Sequence, residues 1–571
     1  MQDGGSHLQF KGQGQATAEG LRQSPFLGPL ASVAERATGT TGYSIQLGLA
    51  HGQPEFAVQT NLQGLALDLP APLNKAAEAA WPLRYSQQAT APAPAGATPD
   101  EEMSLSVSNP QGHLLTLELL RSPGSGTAPQ VRGLVLAGSA PRAGLAMPAQ
   151  GVTARIQWPQ IDADAWDTLV TGTSHAGLVS ELQSVQPQRV WLDTQRLTAG
   201  GRQFHDVTLD ASRRGTRWQG RVQARELAGT LDYQPGTERQ GAHLVARLDR
   251  LDWQTSNDDP TPGPSVAPQP LNIPSLDVEV AALELDGRDL GRLELQAMNR
   301  QIDPTLREWR LTRLNLKVPE AQLSATGNWV PVGATQGVGP SSAHARRTAL
   351  NFKLEVQDSG ALLARFGMPG VFRGGKGQLE GNLAWMGPPH AFHTPSLSGQ
   401  LKLDVAAGQF LKADPGLAKL LGVLSLQSLP RRLALDFRDV FTQGFAFDFV
   451  RGDARVDHGV IATNNLQMKG PNAAVLMEGQ ADVGSETQDI RALVVPEINA
   501  GTASLIATVI NPAVGLGSFL AQAILRQPLI QASTQAFRIH GTWTDPVVDR
   551  VSTPSALPAA ASEAPSSATA P

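Results

Sequence analysis

The chain has 571 residues, enough for several average domains or one long repetitive one. Glycine (57) and proline (42) punctuate it often, only 17% of residues are charged, and 46 basic against 51 acidic residues leave a net charge of −5. Frequent turns disfavour a helical bundle, the charge balance excludes the positive field that nucleic-acid binding requires, and the absence of cysteine excludes disulfides, thiolate metal sites and cysteine nucleophiles.

In chain order, Met1-Gln2-Asp3-Gly4-Gly5 has neither a basic nor an apolar signal region and runs straight into Leu8-Gln9-Phe10, so it reads as a strand continuing from a larger protein. Asp162-Ala163-Asp164 before Trp166 resembles a helix start. From Gly201-Arg202 to Pro235, and again from Gly287-Arg288 to Pro331, a Gly-Arg opening is followed by alternating strands and a tryptophan (Trp218, Trp309). That self-similarity points to a quasi-one-dimensional stack.

Period-two alternation dominates the second half, the pattern of strands with one apolar and one wet face. Leu293 and Leu295, Leu314 and Leu316, and Leu350, Phe352, Leu354 and Val356 alternate with polar residues, as do Leu401 and Leu403, Leu433 and Leu435, and Phe445, Phe447 and Phe449. Asp286-Gly287 and Asp457-His458-Gly459 supply hairpin turns. Ser359 to Gly367 has room for one or two helical turns, and Asp414 before Pro415 reads as a cap opening a helix through Leu417, Leu420, Leu421 and Leu424. Stretches at 88–100, 254–270 and 331–347, and from 552 to the end, are low in complexity.

Ile498 to Leu525 carries no charge and contains Leu505, Ile506, Val509, Ile510, Leu516, Phe519, Leu520 and Ile524 around a central Asn511-Pro512 break. Two short helices with apolar faces fit this pattern better than one membrane span, as a cap on the sheet or as membrane-proximal elements.

Groups that could do chemistry have plainer explanations. Asp162 and Asp164 fit helix capping, Asp258 and Asp259 sit in a Pro-rich loop, and His390 and His393 lack further ligands nearby. No nucleophile elbow, phosphate loop or dinucleotide fingerprint occurs in a strand-to-helix context. No enzyme activity, cofactor or metal site is expected.

The C-terminal half resembles the YhdP family of AsmA-like proteins of Gram-negative bacteria. The resemblance rests on Leu420 through Arg432 (Leu-Leu-Gly-Val-Leu-Ser-Leu-Gln-Ser-Leu-Pro-Arg-Arg), Gly444-Phe445, Met468-Lys469-Gly470-Pro471, the uncharged segment and Gly541-Thr542-Trp543-Thr544-Asp545-Pro546. It runs from about residue 270 to 550 and reaches back through Gly327-Asn328-Trp329 to Leu69-Pro70-Ala71-Pro72-Leu73-Asn74-Lys75. It implies a phospholipid bridge across the periplasm between inner and outer membrane, anchored in the inner membrane, with envelope proteins docking at either end. The resemblance also implies an N-terminal membrane anchor, which is expected to lie outside this sequence, the chain being a fragment or its start having been assigned late.

The expected fold is therefore mainly β: an elongated, curled antiparallel sheet forming a repeating groove, with a few short helices and a C-terminal helical segment. The expected divisions are groove repeats at 1–253, a linker at 254–270, an AsmA-like groove at 271–497, the apolar helices at 498–530, a terminal strand at 531–551 and a disordered tail at 552–571. Roughly 12 residues per strand and turn would give about 37 strands. The alternating apolar residues named above are the expected lipid-binding face. A scaffold for outer-membrane protein assembly, as in TamB-type proteins, and a β-solenoid carbohydrate enzyme are the competing readings.

Overall fold

Alternation of this kind can be satisfied only if each strand keeps one register with its neighbours, because a one-residue slip turns every apolar side chain to the other face. The computed structural model describes residues 8–23, 31–50, 53–90, 100–122, 130–140, 145–171, 186–237, 241–254, 273–301, 307–331, 346–389, 392–411, 445–471, 473–496 and 535–551. These fall into two units, 1–253 and 254–571.

The first unit contains β1 (Leu8–Thr17), β2 (Ala37–Ala50), β3 (Gln53–Thr60), β4 (Leu65–Leu67), β5 (Leu83–Ala89), β6 (Glu101–Asn109), β7 (Gly112–Ser122) and β8 (Gln130–Gly138). They are followed by β9 (Gly151–Gln157), β10 (Gln160–Asp162), β11 (Pro187–Ala199), β12 (Arg202–Arg214), β13 (Arg217–Gln223), β14 (Leu227–Gln234) and β15 (His243–Trp253). Helices α1 (Ala18–Arg22) and α2 (Ala31–Glu35) join β1 to β2, and α3 (Ala163–Thr171) follows β10. Neighbours pair antiparallel except at one place, where β8, β9 and β11 run parallel and β10 continues the line of β9 along β11. Parallel neighbours need a crossover rather than a hairpin, and the chain between β8 and β11 supplies two. Strand β4 pairs with the start of β2, beside a small core of Ala18, Ala37, Leu62, Leu65, Trp81 and Leu114.

The second unit is an antiparallel meander in which every strand pairs with the next. Its strands are β16 (Ser275–Leu285), β17 (Arg288–Gln301), β18 (Arg307–Val318), β19 (Ala321–Pro331), β20 (Arg346–Val356), β21 (Phe372–Met386) and β22 (Ser398–Phe410). Next come β23 (Phe445–Asp457), β24 (Val460–Lys469), β25 (Ala473–Asp482), β26 (Thr487–Pro496), β27 (Gln535–Thr542) and β28 (Pro546–Val551). The expected count of about 37 strands is too high for the described residues because the strands are long: β21 has 15 residues and β17 has 14. The two similar stretches seen in the sequence are three-strand meanders, β12–β14 and β17–β19, with the tryptophan on the second strand of each.

The hairpin turns fall where the sequence places them. Asp286 and Gly287 have φ of 49° and 73°, and His458 and Gly459 have 50° and 81°. Two consecutive positive φ values define the turn whose twist matches flanking strands, which is why Asp-Gly and His-Gly stand there.

A short helix, α4 (Ser359–Arg365), packs on β21, and the Asp358 carboxylate accepts from the Ala361 N–H at 3.0 Å as its cap. Its last residue, Arg365, donates to both oxygens of Glu320 at 2.8 and 3.0 Å. Those hydrogen bonds hold the Glu320 carboxyl below its usual range. The clamp therefore contributes fully above the unfolded-state value, about 4.3, and is lost as pH falls through the lower folded value. Glu320→Gln should raise intrinsic-rate-corrected hydrogen exchange of the 359–365 amides by about tenfold or more at neutral pH. Unchanged protection would show that α4 is held by packing alone.

Candidate functional site

The register of the second unit aligns apolar residues into rows that cross the strands. One row runs Val280, Leu293, Leu316, Leu323, Leu354, Leu379, Leu403. The next runs Val278, Leu295, Leu314, Ala325, Phe352, Gly381, Leu401. A third contains Leu276, Ala297, Leu311, Gly327, Leu350 and Leu383, and a fourth carries Val356, Gly377, Val405, Val450 and Met468. Rows two residues apart along a strand are separated by about 6.8 Å, so the four together span about 20 Å.

The row between the first two is wholly polar: Glu294, Asn315, Ser324, Lys353, Glu380, Lys402, Asp453. It faces the other way, and charges there pair with one another, Lys353 with Glu355 at 2.6 Å and Lys402 with Glu380 at 3.4 Å. One face of this sheet is thus hydrocarbon and the other is a lattice of ion pairs.

On the apolar side, Leu293, Leu295, Leu314, Leu316, Leu350, Phe352, Leu354, Leu401 and Leu403 are half-buried, whereas Val356 is buried. Side chains in a closed globular core would be buried throughout; these lie beside their neighbours in the row yet stay partly open to solvent. The face is closed further along, over β23 to β27, where Phe447, Met468, Val475, Ala492, Val494, Phe537 and Ile539 form a buried cluster. Phe372, Phe410 and Phe447 stack there with ring centroids 4.9 to 5.5 Å apart.

The three phenylalanines of β23 do not share one environment. Phe445 registers with Phe410, and Phe447 is in the buried cluster. Phe449 registers with Ala406 and Lys469 and lies under the Arg451 guanidinium at 3.9 Å, while Val450 takes the place opposite Val405. Leu433, Leu435, the expected helix from Asp414, and Leu505, Ile506, Val509, Ile510, Leu516, Phe519, Leu520 and Ile524 lie outside the described residues.

The first unit carries rows of the same kind that the sequence reading did not single out. One runs Ile45, Val58, Tyr85, Leu105, Leu117, Val135, Ala154, Val190, Ala211, Gly220, Leu231, Ala246. It passes unbroken through the parallel strands. The signal was present as alternation in Met103, Leu105 and Val107 and in Leu115, Leu117 and Leu119. At its first strands, Phe10, Leu47 and Leu49 are 60%, 46% and 46% exposed.

The carboxylates weighed as acid-base groups have structural partners. The Asp162 carboxylate accepts from the Ala165 N–H at 2.9 Å, and Asp164 accepts from the N–H groups of Gly200 and Gly201 at 2.7 Å each. His393 shares a hydrogen bond with the Ser396 hydroxyl at 2.7 Å; His390, Asp258 and Asp259 lie outside the described residues. Among the described residues no cluster of three or more His, Asp or Glu side chains is placed to hold a metal, and no helix is long and apolar enough to cross a membrane.

Rows of half-buried aliphatic side chains on one face, backed by a charged face, define a β-sheet protein with an open apolar surface. The chain belongs to the YhdP family, whose description, YhdP protein, matches residues 2–548. A curated relative, the intermembrane phospholipid transporter YhdP of Escherichia coli (strain K12), is 26% identical over 376 residues. That alignment covers 64% of this chain and 28% of the relative, so the chain matches little more than a quarter of the relative's length. No solved structure matches the chain.

The sulfhydryl-free sequence makes one-sidedness directly measurable. Single cysteines replacing Asn351, Lys353 or Glu355 should react with a charged thiol reagent several times faster than those replacing Leu350, Phe352 or Leu354, and the order should reverse with an apolar maleimide. Equal rates at both sets would contradict the two-faced sheet.

Proposed function

We propose that this chain carries phospholipid along its apolar face as part of a bridge between the inner and outer membranes of the cell envelope. It acts without catalysis, keeping acyl chains covered while headgroups stay in water. The observation that carries this reading is the pair of leucine-rich rows from Val280 to Leu403, uninterrupted by charge, whose leucines and Phe352 are half-buried while Val280 and Ala325 are buried. The named function of the E. coli relative supports it.

A phospholipid buries about 30 methylene groups, so its exposure to water costs on the order of 25 kcal/mol at roughly 0.8 kcal/mol each. That barrier permits about one crossing in several days. A continuous apolar face lowers it by replacing water at each step of the path. The groove-facing residues are Leu293, Leu295, Leu314, Leu316, Leu350, Phe352, Leu354, Leu401 and Leu403, and the first unit carries a row of similar chemistry within itself. In this reading the periplasm is the working compartment, outer-membrane integrity depends on the flow, and residues 498–530 form the outer-membrane-proximal end.

Native mass spectrometry of protein purified from membranes should find bound phospholipid. Photocrosslinkers at 350, 352 and 354 should form acyl adducts, and those at 351, 353 and 355 should not. Leu354→Asp places a carboxylate among acyl chains and should slow transfer by about tenfold or more, whereas Asn351→Asp on the charged face should leave it near wild type. Crosslinks that go to protein strands instead of lipid would favour an assembly scaffold.

A further inference from the structure

Beyond the leucine rows, the apolar face of the second unit ends in tryptophans. Trp309 registers with Trp329, Trp329 with Thr348, and Thr348 with Trp385. Leu350 packs against both the cluster that holds Trp309 and Trp329 and the cluster that holds Trp385. Tryptophan combines a large apolar body with an N–H donor, which suits a boundary between hydrocarbon and polar groups.

One alternation further on the same face stand cations. Arg346 lies two residues before Thr348, and Arg307 two residues before Trp309. The Arg346 guanidinium sits 4.8 Å from the Trp329 ring centroid and donates to the backbone carbonyls of Trp329 at 3.4 Å and Arg307 at 3.2 Å. Among the described residues it has no carboxylate within ion-pair distance, and two bonds leave most of its five donors unused. Burial pulls its pKa down to about 10, so it remains a cation at neutral pH. The indole Nε1 of Trp329, fully buried, also has no hydrogen-bond partner among the described residues.

The opposite rim is different: Arg365 there is matched by Glu320 and Asp289. A half-buried arginine without an anion is a cost that an incoming anion would remove. In the first unit, Arg213 stands 5.8 Å from the Trp218 ring, in register with it, and it too bonds no carboxylate among the described residues but the side chain and carbonyl of Gln186.

We propose that Arg346, with Arg307 beside it, is a headgroup station that binds the phosphate of a glycerophospholipid whose acyl chains lie on the leucine rows. The guanidinium fork matches phosphate oxygens in pairs. A phosphate at Arg346 lays the chains over Leu350 and Phe352, about 14 and 20 Å along the strand, comparable to the roughly 15 Å hydrocarbon depth of one leaflet. The station rests on the carrier reading and deepens it, by making one rim of the face the headgroup side.

The test compares the purified full chain with Arg346→Gln, loaded from vesicles containing either phosphatidylglycerol or diacylglycerol of the same acyl chains, with bound lipid extracted and quantified. Phosphatidylglycerol affinity should fall on the order of tenfold to a hundredfold, the equivalent of one charge-assisted hydrogen bond, while diacylglycerol loading stays unchanged. Equal phosphatidylglycerol loading by variant and wild type, or equal loss of both lipids, overturns the station. Soluble glycerol phosphate bound as tightly as phosphatidylglycerol would assign the site to free phosphate and overturn the headgroup assignment. Should Arg346→Gln fail to fold, Arg346→Lys keeps the charge and loses the fork, so an undiminished phosphatidylglycerol affinity there overturns the proposal equally. A wild-type chain that takes up neither lipid overturns the carrier reading and the station with it.

Discussion

Backbone hydrogen bonding between neighbouring strands is the constraint on which everything else here depends. It fixes register, and register decides whether the alternating leucines of successive strands meet in a row or scatter over two faces. In the second unit twelve successive antiparallel pairings hold that register. Leu293, Leu316, Leu323, Leu354, Leu379 and Leu403 therefore form one line although they come from six different strands.

A sheet built this way can leave apolar surface uncovered because its stability does not come from a closed core alone. The ladders satisfy the backbone, cross-strand apolar pairs bury part of each side chain, and ion pairs order the other face. The remaining exposed hydrocarbon is unfavourable at about 25 cal/mol per Å², and large contiguous patches of it mark binding surfaces. Over β23 to β27 the same alternation instead produces a buried core around Val475 and Ile539.

Alternation made β20 and its neighbours legible, because Leu350, Phe352, Leu354 and Val356 satisfy the period-two rule without ambiguity. It misled at β23: Phe445, Phe447 and Phe449 obey the same rule, yet Phe449 lies under Arg451 and Val450 takes the place opposite Val405. The strand is irregular there, its partner carrying Ala407 at φ 26° and its pairing with β24 shifting register between Arg451 and Arg455. A bulge that swaps faces leaves no mark in a hydrophobicity pattern. The parallel junction of β8, β9 and β11 was hidden for a related reason, since strand direction depends on where the connecting chain travels. The distinct place of Arg346 was not legible, because adjacent Arg346 and Arg347 look alike in sequence while side chains of successive strand residues leave opposite faces.

The amino-acid order by itself determined that this is a β protein of one-sided strands, where its hairpins turn, and, through residue patterns from Leu420 to Pro546, its family. Those are local properties: alternation, turn chemistry and short motifs each act over a few residues. Tertiary structure alone decided which side chains share a row, where the apolar face stays open and where it closes, and that an arginine without an anion stands beyond a line of tryptophans. Those depend on register between segments far apart in the chain, which is set by the sum of many weak pairings and is written in no single stretch of residues.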